Sequence, residues 1–597
     1  MTQYTAPLRD MNFVLNELAG LAHVAKLSGF EEAGPDTVEA ILEEAAKFAS
    51  QVLAPINAEG DAVGCTWKDG EVTTPPGFKE AYTQFVAGGW NGLNSPQHFG
   101  GQGLPKLVAS PVSEIVMSAN LGFSLCPVLT SGAIEALLLG GSESQKERYL
   151  HRLVEGSWSG TMNLTEPQAG SDLGLVRARA VPEGDHYRLY GQKIFITHGE
   201  HDMAENIVHL VLARLPDAPE GVRGISLFLV PKFLVNDDGS LGARNDVRCV
   251  SIEHKLGIHA SPTAVLAYGD SEGAIAYLIG EVNRGLEYMF IMMNEARFMV
   301  GLQGIGIAER AYQQALNYAK ERIQGKDLSN PRGSSVTIIH HPDVRRMLMT
   351  MKAITEASRA VAYLIAAAID HAHAAVDKGQ RAEASAFVDF MIPIHKGWAT
   401  ESAIEVANLA IQVHGGVGFI EETGVAQHLR DARILTIYEG TTGIQANDLV
   451  GRKTARDGGA AAKALAKQMK ATLSDLPAEK GNDVSTLRAQ LTEAIEAFEQ
   501  CVDWIVRTYP TDAKAVHAGA VSFLKLSALV CGGWQMSRAS TIAQCKLAAR
   551  EGDPEFLRAK LGTARFYGDH LLSQVSGLRH AVLHGAHGVM ALTEEQF

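Results

Sequence analysis

The chain has 597 residues, too many for one hydrophobic core, so roughly three to five domains are expected. Hydrophobic residues make up 46% and charged residues 20%, with mean hydropathy near zero, a folded composition that excludes a disordered or fibrous protein. Lys and Arg number 53 against 67 Asp and Glu, a net charge of −14 without a basic stripe, which speaks against a nucleic-acid partner.

No stretch approaches the ~20 apolar residues of a membrane span, and the most apolar run, Val361–Ile369, suits a core helix. Met1–Asp10 is polar and charged with no signal segment, so export is not expected. The cysteines (Cys65, Cys126, Cys249, Cys501, Cys531, Cys545) form no CxxC pair. They read as reduced, mostly buried thiols of a cytoplasmic protein, with no disulfide frame and no metal site.

Residues 1–158 read as a helical domain: Thr37–Leu53, Pro111–Leu121 and Ala133–Leu138 carry helical spacing around a Gly-rich loop, Gly88–Pro105. From 159 to 281 the period switches to two. Tyr187–Thr197, Asn206–Leu215, Gly224–Val230, Val247–Ile252, Ala264–Tyr268 and Ala274–Ile279 are strand-like, and the absence of helices between them predicts an antiparallel sandwich or open barrel. From 282 to 455, Arg297–Ile323, Pro342–Val376 and Ala382–His414 predict a helical bundle. Residues 456–597 read as a further helical block, broken at Leu476–Asn482, Tyr509–Thr511 and Gly552–Pro554. The expected fold is thus α+β and multidomain, in the order helical, β, helical, helical.

Three segments carry chemistry. Thr165–Asp172 (TEPQAGSD) offers backbone N–H groups at Gly170 and Ser171 with little obstruction, suited to a phosphate or a flavin edge; an ordinary Pro-Gly turn reads the same way. Gln412–Phe419 (QVHGGVGF) lets a ligand approach backbone after a long helix, although a helix C-cap explains Gly415 equally. In Arg430–Gln445, Glu439 precedes a helix start that Thr441 or Thr442 would cap. The helix field favours the carboxylate there, and a bound apolar substrate would raise its pKa, the balance that makes a Glu a base near neutral pH. A structural Glu beside an N-cap is the plainer reading.

Taken in this order, together with the KIFIT strand (Lys193–Thr197) and Lys255–Thr263 (KLGIHASPT), these segments resemble the acyl-CoA dehydrogenase flavoenzymes over about residues 35–455. The resemblance implies an N-terminal helical domain, a central antiparallel β domain, a four-helix bundle, FAD as cofactor and α,β-dehydrogenation of an acyl-CoA thioester. It implies that Glu439 takes the α-proton while hydride leaves the β-carbon for the flavin. A flavin ribityl hydroxyl and the Glu439 N–H would stabilise the developing enolate. Leu164, Thr165 and Ser171 match positions at the flavin ring and phosphates, and Phe195 and Thr197 match the strand that packs the isoalloxazine. Phe195 stands where a Trp is usual, and Met162 where a Tyr is. Arg322 matches a pyrophosphate-binding Arg in a motif one residue shorter than usual; a solvated helix-end charge is the other reading. Gln412, Gly415 and Gly416 match a segment that reaches the neighbouring subunit's adenosine, implying a homodimer or homotetramer. Thr441 and Gly443 match dinucleotide contacts, and Ser171, Arg297, Tyr438 and Gly440 match substrate contacts. Some members carry their base before an Arg on an earlier helix. Here Ala296 precedes Arg297, and Glu295 is turned about 100° away, so Glu439 is the better base.

The block after 455, with Ala6–Leu15 and Ala446–Lys453, resembles an extended subgroup. It implies a short- to medium-chain thioester, 3-methylmercaptopropionyl-CoA first and straight-chain fatty acyl-CoA second, with electron-transfer flavoprotein as acceptor and a place in dimethylsulfoniopropionate catabolism. An acyl-CoA oxidase shares the fold, and a scaffold that lost catalysis is the remaining alternative; an intact Tyr438-Glu439-Gly440 disfavours the latter. His580, His584 and His587 at helical spacing read as a solvated or packed face, and Met289, Met292 and Met293 as core before acyl pocket.

Overall fold

A computed structural model describes residues 4–475 and 483–597, so the expected break at Leu476–Asn482 lies outside the described residues. The chain divides into two compact units: Lys47–Leu104 with Ala119–Met299, and Met1–Ala46 with Pro105–Ser118 and Val300–Phe597.

The first of these units holds an eight-stranded sheet. Its order is Val247–Ile252, Thr263–Tyr268, His186–Thr197, Ala274–Ile279, Ile225–Pro231, Asn206–Arg214 and Trp158–Asn163, with Arg179–Glu183 also pairing with His186–Thr197. The expectation of a purely antiparallel sheet is corrected at one edge, where Trp158–Asn163 runs parallel to Asn206–Arg214. Parallel neighbours need a long crossover, and residues 164–205 supply it. Both faces of the sheet are covered. Ile225, Leu227 and Leu229 enter one core with Leu210, Trp158 and Leu153, while Phe228 and Val230 enter another with Leu189, Ile196 and Leu266. Burial on both faces explains why Ile225–Pro231 is apolar at every position but Ser226.

Helix Leu121–Gly140 joins the first core, capped by Asn120 Oδ1 accepting from Phe123 N at 3.0 Å. The sequence reading saw only Ala133–Leu138 of it, because Gly122, Pro127 and Gly132 interrupt the pattern. The helix also overturns the expectation that no stretch is long and apolar enough to cross a membrane. It meets that test by length and composition, and 72% of its most apolar window is buried inside the protein. Met162, Met289 and Met292 are buried in the same core, which favours the packing reading of the methionines.

In the other unit, Pro342–Ala374, Lys378–His414 and the C-terminal part of Gly285–Glu321 form the bundle, with Thr442–Val450 packed on Lys378–His414. Small residues let these helices close. A Cβ on Gly304 would meet the Ala399 carbonyl oxygen at 2.5 Å, and one on Gly397 would meet Leu524 at 2.7 Å. Leu524 lies on Ala520–Ala549, the central helix of the C-terminal block, beside Asp483–Thr508 and Pro554–His570. The expected breaks at Tyr509–Thr511 and Gly552–Pro554 fall between helices, the second capped by Asp553.

A buried charge web ties this unit together. Arg359 donates to Glu114 Oε1 (2.6 and 2.9 Å), Asp10 Oδ2 (2.6 Å) and Glu309 Oε2 (2.7 Å), and Lys560 bridges Asp10 and Glu356 Oε2 (2.8 Å). Four carboxylates and two cations thus connect the N-terminal segment, helix Lys106–Ala119, two bundle helices and the C-terminal block.

Candidate active site

The candidate residues fall into two groups, one on each unit. In the sheet-containing unit, Leu164, Thr165 and Ser171 lie on the loop after Trp158–Asn163, and Phe195 and Thr197 end the strand His186–Thr197. The loop is locked to that strand. Ile194 N donates to Thr165 O at 3.0 Å, and Lys193 Nζ donates to Leu164 O at 3.0 Å and to Glu166 Oε1 at 2.8 Å. Glu166 also accepts from Arg177 N (2.7 Å), Ala178 N (3.0 Å) and Gln168 Nε2 (2.6 Å), so one carboxylate organises the whole turn. Burial opposes its charge, but Lys193 and the two backbone N–H groups outweigh it and hold the carboxyl below its ordinary pKa. Burial pushes the Lys193 ammonium down to about 8 against the pull of Glu166.

Phe195 is displayed by a backbone irregularity. The pairing with Thr263–Tyr268 slips between Ala264 and Leu266, and Phe195 takes φ +59° with the residue 58% exposed. A bulge turns one side chain out of the alternation, and a large apolar ring left in water there suits a ligand face. A Cβ on Gly170 would meet nothing within 4 Å. Arg297 is buried in the same unit, on helix Gly285–Glu321, next to the buried Ala296.

The second group centres on Glu439. Thr441 is the cap of Thr442–Val450, its Oγ1 accepting from Ile444 N at 3.2 Å, as the sequence predicts. Glu439 has φ +53° and is followed by Gly440 at φ +89°. The left-handed region costs a non-glycine residue on the order of 1 kcal/mol, so surrounding bonds must hold it. They do. Lys396 Nζ donates to Gly440 O at 2.7 Å, and Gln445 Nε2 donates to Glu439 O at 3.3 Å and Gly440 O at 3.2 Å. Tyr438 OH donates to Gln303 Oε1, and Thr442 Oγ1 to Glu401 Oε1 at 2.5 Å. Burial, and then the neighbouring Glu439, raise the Tyr438 phenol well above its ordinary pKa. Gly443 is half-buried and open on its Cβ side apart from Thr441 Oγ1 at 3.7 Å.

Gln412, Gly415 and Gly416 are exposed where Lys378–His414 ends. Gly415, at φ +65°, is that helix's cap, so the C-cap reading holds, and a Cβ on Gly415 or Gly416 would meet nothing within 4 Å. The His414 ring stacks on Tyr318 at 4.3 Å, one turn before Arg322, which brings the QVHGG segment beside the Arg322 helix end. Arg322 is exposed, 3.4 Å from Gln324 Oε1.

Lys193, Glu166 and Lys396 were not singled out by the sequence reading. A lone Lys inside an apolar helical run, PIHKGWA, was the available signal for Lys396. A buried trio, Cys126, His198 and His201, was also missed; its ligand-type atoms lie within 4.8 Å of one another. Met203 N donates to His201 Nδ1 at 3.1 Å, so the neutral ring carries its proton on Nε2, toward Ser159 Oγ at 2.9 Å, where a metal would need a lone pair. His580, His584 and His587 lie exposed near the C-terminus.

Four family models match in chain order: acyl-CoA dehydrogenase N-terminal domain over residues 35–157, middle domain over 161–270, C-terminal domain over 283–453, and acetyl-CoA dehydrogenase C-terminal like over 465–593. The 3-methylmercaptopropionyl-CoA dehydrogenase of Ruegeria pomeroyi is 50% identical over 96% of this chain and 97% of its own. The chain belongs to the acyl-CoA dehydrogenase family. This dehydrogenase is also 34% identical to a butyryl-CoA dehydrogenase of Syntrophomonas wolfei, over the whole chain and 99% of that relative. A Bacillus anthracis acyl-CoA dehydrogenase solved with FAD shares its fold, with TM-score 0.75, 20% identity, and 94% of this chain and 90% of that one covered. The dehydrogenase is an FAD-dependent oxidoreductase. Within the sheet-containing unit, the open edge at Gly170 and the outward Phe195 have the shape and chemistry to receive a flat, phosphate-bearing group.

Proposed function

We propose that this dehydrogenase converts 3-methylmercaptopropionyl-CoA to the 2-enoyl thioester with Glu439 as base. The observation that carries the assignment is Glu439 itself, held at φ +53° against its own preference at the start of a capped helix. FAD, when bound, supplies the acceptor for the hydride that leaves the β-carbon. Glu439 takes the α-proton as the double bond forms, and its N–H is the donor for the thioester oxygen. Gly440 leaves that approach free of a side chain. Leu164, Thr165, Ser171, Phe195 and Thr197 would hold the flavin, and Arg322, Gln412, Gly415, Gly416, Thr441 and Gly443 the dinucleotide tail. Ser171, Arg297, Tyr438 and Gly440 would contact the thioester.

The 50% identity over nearly the full length supports the sulfur thioester as substrate and hence a role in dimethylsulfoniopropionate breakdown. Full-length butyryl-CoA dehydrogenase relatives favour a straight-chain substrate as the second reading. Electron-transfer flavoprotein is the acceptor that fits the family. Exposed Val417, Phe419 and Ile420, following the Gln412–Gly416 segment, favour a homodimer or homotetramer in which that segment reaches a second copy.

An anaerobic flavin-bleaching titration with 3-methylmercaptopropionyl-, butyryl- and octanoyl-CoA tests the substrate. Fastest bleaching by the sulfur thioester is expected. Bleaching by octanoyl-CoA alone would move the enzyme to fatty-acid oxidation, and none at all would overturn the activity.

A further inference from the structure

We infer that Lys396 is a positioning residue for the dehydrogenation, acting on Glu439 through the carbonyl of Gly440. The inference rests on Glu439 being the base. Lys396 lies in the middle of helix Lys378–His414 with its side chain fully buried, flanked in sequence by buried Ile394, His395 and Trp398. A buried ammonium is costly in a helix interior, and an apolar residue would pack there at less expense of free energy. Its bond to Gly440 O, at 2.7 Å, is short and charge-assisted.

The bond falls where the backbone is least able to hold itself. Gly440, at φ +89°, has the wide conformational range of a glycine, and Glu439 before it sits in a sparsely populated region. Gln445 pins the peptide between Glu439 and Gly440; Lys396 and Gln445 together pin the next, between Gly440 and Thr441. Thr441 then passes the restraint to the helix it caps. Two consecutive peptide planes on the C-terminal side of Glu439 are thereby fixed to two helices, which restrains the direction in which the Glu439 side chain leaves the backbone. Without Lys396, only the longer Gln445 bonds, at 3.3 and 3.2 Å, restrain these carbonyls, and Glu439 is freer to relax toward an ordinary conformation. Proton abstraction is sensitive to such displacement, since about 1 Å of misplacement costs on the order of 100-fold in rate.

The test uses the holoenzyme and four variants: Lys396→Met, Lys396→Arg, Gln445→Met and Glu439→Gln. Two quantities are read for each, steady-state kcat and KM per bound flavin, and amide hydrogen exchange of the peptide covering residues 437–445. Lys396→Met is expected to lose roughly 10- to 100-fold in kcat with KM within about twofold. Exchange in 437–445 should quicken while the rest of the bundle keeps its protection. Lys396→Arg, which keeps a charged donor, should recover part of the rate. Native kcat in Lys396→Met, or a loss of kcat with unchanged exchange in 437–445, would overturn the proposal. If Lys396→Met does not fold, Gln445→Met decides by the same two readouts. Glu439→Gln separates the two layers. If it is inactive while Lys396→Met is native, the positioning role alone fails; if it turns over normally, the base assignment fails and takes the positioning role with it.

Discussion

The loop that begins at Leu164 and the loop around Glu439 use the same anchor in different ways. Each has a fully buried lysine that donates to a main-chain carbonyl, Lys193 to Leu164 O at 3.0 Å and Lys396 to Gly440 O at 2.7 Å. Lys193 also meets a carboxylate of its own loop, Glu166, which in turn collects two backbone N–H groups. That loop closes on itself and its adjoining strand. The Glu439 loop instead holds a left-handed glutamate and is restrained from outside by side chains of other segments. A surface that receives a cofactor needs shape, which an internal ion pair maintains. A base needs direction, which a rigid neighbouring helix maintains better.

If the two loops divide the work in this way, removing their key residues should have different signatures. The largest effect is expected from Glu439→Gln, which should lower turnover by about a thousandfold or more while flavin content and melting temperature stay native. Stopped-flow bleaching by the acyl-CoA substrate checks it. Next, Lys193→Met should act on the fold and on cofactor retention. It leaves the buried Glu166 carboxylate without its cation, which costs about 3–5 kcal/mol. Urea unfolding and flavin stoichiometry measure both, and pairing it with Glu166→Gln should restore much of the stability. Equal loss of turnover with full flavin content in this variant would erase the contrast between the loops.

Acid provides a third, smaller probe. Burial lowers the pKa of His198 and His209, in the sheet-containing unit, and of His428, in the other, to about 3 in each case. The folded values lie below the ordinary 6.5, so the unfolded chain binds more protons between them. Stability is therefore full above about pH 6.5 and falls as pH drops toward 3, by about 2 kcal/mol per histidine near pH 5. Urea midpoints across that range should fall, and His428→Gln, which keeps a donor to Gln314 Oε1, should flatten the curve. The smallest effect belongs to Gly170→Ala. Nothing lies within 4 Å of the added carbon, so melting should not move, whereas FAD affinity should weaken by about tenfold if the cofactor lies against that edge. Native FAD affinity by fluorescence titration would remove Gly170 from the cradle.

Much of this was legible from residues alone, and the misses have physical causes. Val247–Ile252 and Ala274–Ile279 emerge with the bounds expected of them. Trp158–Asn163 alternates Trp158, Gly160 and Met162 with polar Ser159, Thr161 and Asn163, a period that marks a strand but not the burial of its polar side as well. Arg179–Glu183 is hidden by Pro182, tolerable because that short strand ends near the sheet edge. Helix Gly285–Glu321 begins twelve residues before the Arg297 read as its start. The Thr441 cap and the position of Glu439 before it follow from side-chain chemistry within four residues, so they needed no tertiary information.

The sequence by itself determined the family, the order of helical and β blocks, the cap that places Glu439, and the open glycine positions Gly170, Gly415 and Gly416. These depend on residue types at short spacing, and local backbone physics acts over that same range. Tertiary structure alone decided that Glu439 is left-handed, that Phe195 is turned outward by a bulge, that Glu166 and Lys193 pair, and that Lys396 reaches Gly440 from 44 positions earlier in the chain. Each of those requires two segments distant in sequence to be packed together, and the direction of a buried polar group is set only once its partner has arrived.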